Sequence, residues 1–310
     1  GSAETLNIPC NMPLMVQGTW NRSPWRNGLQ YTIRGDHYLT GKDRLYGSYV
    51  RTGSDNLNMN SRSAFTNTST RYVDAAQANW TRTFSPSIIN EASFSYNEVL
   101  GNDVQEAPFR VPSIGVVNTS GLGIGFSGTF VQNNYNWKDV VTMVRGSHNI
   151  KFGGHYFFGS GVADFPRANG IGNRPTFTFQ NLLDLVRDNP FTGNASAHDP
   201  LTGQPKPYIF GVEGDTFGLF VQDEWKARPN LTLTLSLRWD DFGNPRSTVD
   251  TWQVTNLVLA EGNTVDQRFR NASVKVFPNQ YPGRITNNWS PRFGLAWTPG
   301  KSRNTVVRAG

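Results

Sequence analysis

Residues Gly214 to Trp239 read GDTFGLFVQDEWKARPNLTLTLSLRW, and this stretch decides the predicted fold. Apolar and polar residues alternate along both halves, and residues 227–230 interrupt the alternation between them. A period of two on both sides of a tight turn is typical of a β-hairpin with one apolar and one polar face. Except for Asp223, the predicted apolar face consists of Phe217, Leu219, Val221, Trp225, Leu231, Leu233, Leu235, Leu237 and Trp239.

The apolar face of this hairpin is aliphatic in the middle and carries tryptophan towards its ends. A strand of a membrane barrel needs about 9–11 residues, with apolar side chains towards lipid, polar ones towards the lumen and aromatic ones at the interfaces. Antiparallel sheets with one buried face are also common in soluble proteins. The hairpin alone is therefore compatible with either environment.

The composition of the chain excludes some classes of protein and argues against others. The chain has 310 residues, 37% of them hydrophobic, and a formal charge of +6. No apolar run approaches the roughly 18 residues of a transmembrane helix, whereas barrel strands alternate and leave no such run. Lysine and arginine are scattered rather than clustered, which argues against a nucleic-acid partner. The single cysteine, Cys10, cannot form an internal disulfide.

The rest of the chain repeats the hairpin pattern, and five hairpins are predicted. Their short turns are at 40–43, 85–87, 146–149, 227–230 and 299–302, and the long loops are at 52–71, about 100–134, about 160–213 and about 242–288. Within the loops, residues 180–188 have the only helix-like spacing. Outer-membrane barrels have short turns on the periplasmic side and long loops outside, whereas soluble sandwiches show turns every 8–12 residues or so. The pattern favours the outer membrane.

The domain prediction has two parts. Residues 1–26 contain prolines and tryptophans without a period and are predicted to be irregular, and residues 27–310 are predicted to form part of a β-barrel. The first residues lack the charged and apolar regions of a secretion signal. Residues 305–310 read as an interrupted strand, so we expect a barrel region truncated at its C-terminus.

Candidate catalytic and metal-binding residues are sparse. The four histidines, His37, His148, His155 and His198, are not paired at metal-ligand spacing, and each is predicted to be a surface or turn residue. The glycine run at 121–125 lacks the Lys-Ser/Thr ending of a phosphate loop. The sequence contains no nucleophile–base arrangement, so we expect no enzyme activity, no cofactor and no metal.

Tryptophans near strand ends are the candidate site residues. We interpret them as an interfacial girdle, with a sugar-stacking platform as the alternative. They are Trp137, Trp225, Trp239, Trp289 and Trp297.

Short strings recur at the hairpins. They are KDRL at 42–45, FSP at 84–86 with NE at 90–91, HNIKFGG at 148–154, FVQDEWK at 220–226, LTL at 231–233, LRW at 237–239 and NWSPRFG at 288–294. In order and spacing, over about residues 30–310, they resemble TonB-dependent outer-membrane receptors of the Oar-like type. The resemblance implies a barrel of roughly 22 strands with an N-terminal plug, energised through TonB and moving a large substrate.

The chain departs from that pattern, because it shows no plug, no TonB box and only about ten strands. We therefore predict an all-β segment of a larger outer-membrane barrel, made of antiparallel hairpins with long loops. The partners of the parent protein would be outer-membrane lipid and the TonB system. Two alternatives stay open: a fragment that self-associates through open strand edges into an extracellular filament, and a soluble carbohydrate-binding β-protein.

Overall fold

The computed structural model describes residues 18–19, 23–59, 66–106, 112–119, 128–164, 176–194, 202–204, 209–248, 255–280, 283–300 and 305–310. In chain order the elements are β1 (Arg26–Tyr38), β2 (Asp43–Met59), β3 (Thr66–Ser85), β4 (Ile88–Glu106), β5 (Ser113–Val116), β6 (Gly128–Arg145), β7 (His148–Asp164), β8 (Thr176–Phe179), α1 (Leu182–Val186), β9 (Thr192–Asn194), β10 (Ile209–Arg228), β11 (Leu231–Asp241), β12 (Arg246–Ser247), β13 (Thr255–Val258), α2 (Val265–Arg270), β14 (Ser273–Val276), β15 (Asn288–Trp297) and β16 (Val307–Ala309).

One antiparallel sheet dominates the fold. Its strand order is β1-β2-β3-β4-β6-β7-β10-β11-β15-β16, and β12 adds to β10 beyond the end of β11. The predicted hairpins are confirmed as the pairs β1–β2, β3–β4, β6–β7, β10–β11 and β15–β16. Two small sheets, β13–β14 and β5-β8-β9, form in the long connections. The predicted all-β class is therefore correct.

The strands are longer than the sequence pattern predicts. Six of them, β2, β3, β4, β6, β7 and β10, have 17–20 residues. The predicted loops at 52–71 and 100–134 were wrong in extent, because β2, β3, β4 and β6 run far into them; Asp55 pairs with Thr70, for example. Backbone hydrogen bonds extend a ladder whatever its side chains are. Apolar and polar residues alternate only in the part of a strand that has one face in an apolar medium. The sequence pattern therefore shows only that part of each strand.

The loop regions contain two short helices. The prediction of helix-like structure at 180–188 is confirmed by α1, where the side chain of Asn181 accepts a hydrogen bond from the backbone N–H of Asp184 at 2.9 Å. Thr264 caps α2 in the same way, and the side chain of Gln267 accepts in return from the N–H of Asn263. In the described ranges, no helix has the length and apolar character that crossing a membrane requires.

The hairpins are staggered along the strands. Asp43 lies at the first turn. Following the paired residues from strand to strand across the sheet leads from Asp43 to Pro291 of β15. Pro291 lies six residues before Trp297, where β15 ends near its own turn. Each turn is therefore displaced relative to the one before it, and the strands tilt when the turns are brought level. Tilt and stagger of this kind are what a barrel wall requires.

The described residues do not enclose a hydrophobic core. Only three of their apolar side chains are buried, Val116, Ala163 and Phe179, and no large side chain among them is fully buried. A soluble sandwich would bury the apolar face of one sheet against a second layer. In this structure the large sheet has no such layer.

Candidate functional site: an apolar face, a polar face and their boundaries

The apolar face of the large sheet is continuous across strands. On β10 and β11 it carries the predicted aliphatic residues, and the register aligns Val221 with Phe152 on one side and Leu237 on the other. These side chains are exposed: 48% for Leu219, 45% for Leu235 and 55% for Phe293. A band of aliphatic side chains this open requires an apolar medium outside the sheet.

Aromatic side chains bound the band at both ends. Near the turns are Trp225 and Trp297. Further from the turns, and near the middle of the longest strands, lies a second set of rings. We call it the far aromatic row; its members are Phe94, Tyr96, Tyr135, Trp137, Tyr156, Phe217, Trp239 and Trp289. Its neighbouring rings have centroids 5.0–6.2 Å apart, from the Tyr96–Tyr135 pair to the Trp239–Trp289 pair.

The spacing of the two aromatic boundaries fits a lipid layer. Trp225 and Phe217 are eight residues apart on β10, which is roughly 27 Å along the strand. A tilt of about 40° reduces this to roughly 20 Å along the membrane normal. The structure thus places two predicted tryptophans, Trp225 and Trp297, at one boundary and Trp137, Trp239 and Trp289 at the other.

Sequence reasoning missed most of the far aromatic row. Phe94 and Tyr96 lie opposite Trp137 and Tyr135 only in the register between β4 and β6, and that register spans a long connection. Tyr156 faces Trp137 across the β6–β7 hairpin. The sequence feature that could have indicated this row is an aromatic residue at the end of each stretch of alternating apolar residues. Without the register, these residues could not be aligned as one row.

A hydrogen-bonded polar pair lies on the apolar face. The alternation puts Asp223 among the apolar positions of β10, and His148 was predicted to be a surface or turn residue. The structure places both on the apolar face, with His148 Nδ1 2.7 Å from Asp223 Oδ2 and the imidazole stacked on Trp225. A paired charge next to a turn costs less than an isolated one in lipid.

The first turn holds a second paired acid. Asp43 is buried, and its carboxylate accepts hydrogen bonds from Trp80 Nε1 at 3.1 Å and Arg82 Nη1 at 3.0 Å. The side chain of Thr40 donates to the same group. Asp43 and Asp223 thus lie near the turn ends, whereas Asp139, next to Trp137 on the same face, accepts a hydrogen bond from the side-chain amide of Asn90.

The opposite face of the sheet is polar. On β11 it carries Thr232, Thr234, Ser236, Arg238 and Asp240. Arg238 donates to both carboxylate oxygens of Asp240, at 2.6 and 2.7 Å, and its guanidinium lies 3.4 Å from His155 Nδ1.

A glycine makes room for this cluster. At Gly218 a Cβ would lie 2.3 Å from the His155 ring and 2.5 Å from Asp240, so only glycine fits between them. The polar face therefore holds charged groups in a fixed arrangement towards water.

Beyond the far aromatic row, a buried acid ties a loop to the sheet. Asp241 is only 6% exposed, and Arg284 Nε lies 2.7 Å from its Oδ2. The hydrogen bond from Arg284 holds the pKa of Asp241 below its usual value against the opposing effect of burial, and the N–H of Gly243 assists it. The same contact raises the pKa of Arg284.

The structure brings no metal-ligating cluster together in the part of the chain that it describes. His37 lies on β1, whereas His148 and His155 lie seven residues apart on β7. His198 lies outside the described residues, as do Cys10 and the glycine run at 121–125.

We predict that acidification opens the Asp241 tether. Because the pKa of Asp241 is lowered on folding, its stabilising contribution is complete above the pKa of the unfolded carboxyl, about 3.9, and is lost as pH falls through the folded pKa. Hydrogen exchange should show the amide of Gly243 protected at about pH 6 and released once the pH has fallen below the lowered pKa of Asp241. Arg284→Gln should release it already at neutral pH. Equal protection in both proteins at both pH values would contradict the assignment.

We further predict that a charged substitution destabilises the protein on the apolar face of the sheet but not on the polar face. Leu235→Arg should lower the free energy of unfolding from lipid vesicles by about 2–4 kcal/mol, because it puts a cation into the apolar band. The adjacent control Ser236→Arg, on the polar face, should change it by no more than about 0.5 kcal/mol. Titration with denaturant measures both. Similar losses in the two variants would mean that lipid does not cover the apolar face.

Comparisons with known proteins support the environment that the two faces indicate. Residues 16–310 match the family described as the outer membrane beta barrel domain. No curated protein is significantly similar in sequence.

Solved structures with similar folds include three receptors. The alcaligin outer membrane receptor FauA of Bordetella pertussis is 11% identical, over 89% of this chain and 33% of its own, with a TM-score of 0.49. The ferric-catecholate import receptor Fiu of Escherichia coli K12 is 12% identical, over 89% and 42%, with a TM-score of 0.49. The ferric preacinetobactin receptor BauA of Acinetobacter baumannii is 13% identical, over 89% and 38%, with a TM-score of 0.47. The chain spans about a third to two fifths of the length of these receptors.

The match to the family over nearly the whole chain agrees with a two-faced antiparallel sheet that is apolar outside and polar inside. The chain therefore belongs to the outer membrane beta barrel domain family, and it is located in the bacterial outer membrane.

Proposed function

We propose that this chain forms part of the barrel wall of a TonB-dependent outer-membrane receptor of the Oar-like type, which moves a large substrate across the membrane. The observation that carries the proposal is the length of the strands beyond the far aromatic row. On β10, eight residues separate Phe217 from the strand's first residue, Ile209. That length adds roughly 27 Å of wall along the strand.

A tall wall distinguishes a receptor from a simple pore. A strand that only crosses the hydrocarbon needs about 9–11 residues, whereas six strands here have 17–20. The additional length surrounds a deep mouth on the side of the long connections, where a large ligand can be captured before transport. The short strings of the hairpins support the Oar-like type in particular.

In this proposal the polar face lines the lumen. Its fixed charges, such as the Arg238–Asp240 pair, would meet the plug or the passing substrate. Residues 27–310 are assigned to the barrel region, whose first strand begins at Arg26, and most of the predicted irregular segment 1–26 lies outside the described residues. The protein acts by binding and translocation rather than by catalysis. Its partners are lipid and the TonB system.

The proposal is tested by uptake and secretion profiles. Cells that lack the gene, cells that lack TonB and the parent strain should be compared for compounds taken from or released into the medium. We expect at least one compound whose transfer is lost in both mutants and returns when the gene is restored. If none of the compounds whose transfer is lost on deletion of the gene is also affected in cells that lack TonB, the TonB-dependent mechanism is wrong.

Electron microscopy separates this proposal from the two alternatives. Detergent-dependent ring-shaped particles would support the barrel. Fibres with a repeat of about 4.8 Å would support the filament, and detergent-free monomers the soluble carbohydrate-binding protein. The uncovered apolar face of the described residues argues against the soluble protein.

We also propose that Trp137, Trp225, Trp239, Trp289 and Trp297 anchor the wall at the two membrane interfaces. Lipids brominated near the carbonyl group should quench a fluorescence component that disappears in Trp225→Phe and in Trp239→Phe. In Leu235→Trp, a new component should be quenched by lipids brominated near the middle of the chain. Quenching of Trp225 or Trp239 by the deep bromines would exclude the interfacial role.

A further inference from the structure

A cavity of about 540 Å³ opens on the polar face beyond the far aromatic row, between β6, β7 and β10. Its floor is made of glycines on neighbouring strands, where Gly214 pairs with Gly159 and Val212 pairs with Gly161. Glycines at paired positions leave a depression in a sheet, since side chains elsewhere stand about perpendicular to it. This volume lies within the range of small-molecule sites.

One wall is an aromatic ring held against the floor. A Cβ at Gly159 would lie 3.1 Å from the ring of Phe157, so this ring packs closely over the glycine. Phe130 stands on the β6 side, with the Arg71 guanidinium 5.3 Å from its ring centroid. Rings supported in this way have few rotamers to lose, so binding against them costs little conformational entropy.

The opposite wall is the segment that continues from the end of β11 along β10 into β12. Gly243 has a positive φ of 67°, and a Cβ there would lie 1.9 Å from the carbonyl oxygen of Asp215. Arg246 donates to Glu213 at 2.6 Å, and β12 pairs with β10. The position of this wall is therefore fixed by the backbone and by an ion pair.

The fixed segment holds an apolar side chain in water. Phe242 is 66% exposed at the cavity mouth, and Pro245 lies against Gly214, where a Cβ would be 3.5 Å away. An exposed ring on a rigid segment is unfavourable unless something covers it. A ligand that enters the cavity would contact it.

The cavity itself is uncharged. Its polar side chains on the polar face are the amides of Gln132 and Asn134 and the hydroxyl of Thr216. The nearby acids are engaged elsewhere, Glu213 with Arg246 and Asp215 with Arg284 at 3.8 Å. An apolar, partly aromatic pocket with a few amide groups at one side suits a flat uncharged ligand with polar groups along one edge.

We propose that this cavity binds an uncharged aromatic ring that carries hydrogen-bonding substituents on one edge. The inference deepens the proposed function and rests on it, because the ring would be the part of the large substrate that the mouth of the receptor recognises. The ring stacks on Phe157 and contacts Phe242, and its polar edge meets Gln132 and Asn134.

The test uses the protein purified from outer membranes in an amine-oxide detergent, which contains neither a ring nor a sugar. Saturation-transfer NMR is recorded with phenyl β-glucoside and with methyl β-glucoside as probes. We expect transfer to the phenyl protons of the first probe, and little transfer to the sugar protons of the second.

Two variants locate the binding to the cavity. Gly161→Val should fill the floor and reduce the phenyl signal at least fivefold; its Cβ meets only the Val131 carbonyl oxygen, at 3.7 Å, so the fold should tolerate it. Phe157→Leu should weaken the signal by removing the flat ring. The matched control Gly47→Val on the apolar face, where a Cβ would lie 3.5 Å from the Gln77 carbonyl oxygen, should leave it unchanged.

Three results would overturn the assignment: no phenyl signal from the folded wild-type protein, an equal signal in Gly161→Val, or transfer from the sugar protons of both probes alone. None of these would affect the transport proposal, which is read from uptake and secretion profiles. Loss of TonB dependence with an intact phenyl signal would instead overturn the transport proposal and keep the cavity.

Discussion

The antiparallel hydrogen-bond ladder holds this protein together, because the described residues lack a hydrophobic core to do so. Most of the large sheet continues without interruption from β1 to β15, and neighbouring strands exchange bonds over 10 to 19 residue pairs. In hydrocarbon an unpaired backbone group costs several kcal/mol. A strand that crosses lipid must therefore be paired along its whole length. Because the backbone alone holds the sheet together, the side chains can differ between the lipid-facing side and the water-facing side.

The side chains differ between the two faces of the sheet. On the apolar face, aliphatic side chains stay open to the surroundings, and aromatic rings gather where the band ends. On the polar face, charges such as Arg238 and Asp240 are paired and positioned by glycine gaps. The exceptions on the apolar face follow the same physical rule. Asp43 and Asp223 lie near the turns, where Arg82 and His148 respectively are their partners, and Asp139 accepts a hydrogen bond from the Asn90 amide.

The long ends of the strands connect this membrane architecture to function. Past the far aromatic row, the same ladder continues into water, where it supports a wall, a buried acid at Asp241 and a glycine-floored cavity. Rigidity there comes from the sheet and from tethers such as that of Arg284 rather than from a packed interior. In the proposed receptor, a mouth built on such a wall would present a binding surface without first closing around its ligand.

The sequence by itself determined the all-β class, the five hairpins and the outward direction of residues such as Leu219 and Leu235, because a period of two is a local property of a strand. It also located α1. Only the tertiary structure decided how far the strands extend, since pairing past residue 52 or residue 100 depends on a partner strand rather than on apolar spacing. The same holds for the far aromatic row, the Asp223–His148 pair and the cavity between Gly159 and Gly214. Each of these depends on the register between strands that are separated by long connections, and no local pattern specifies that register.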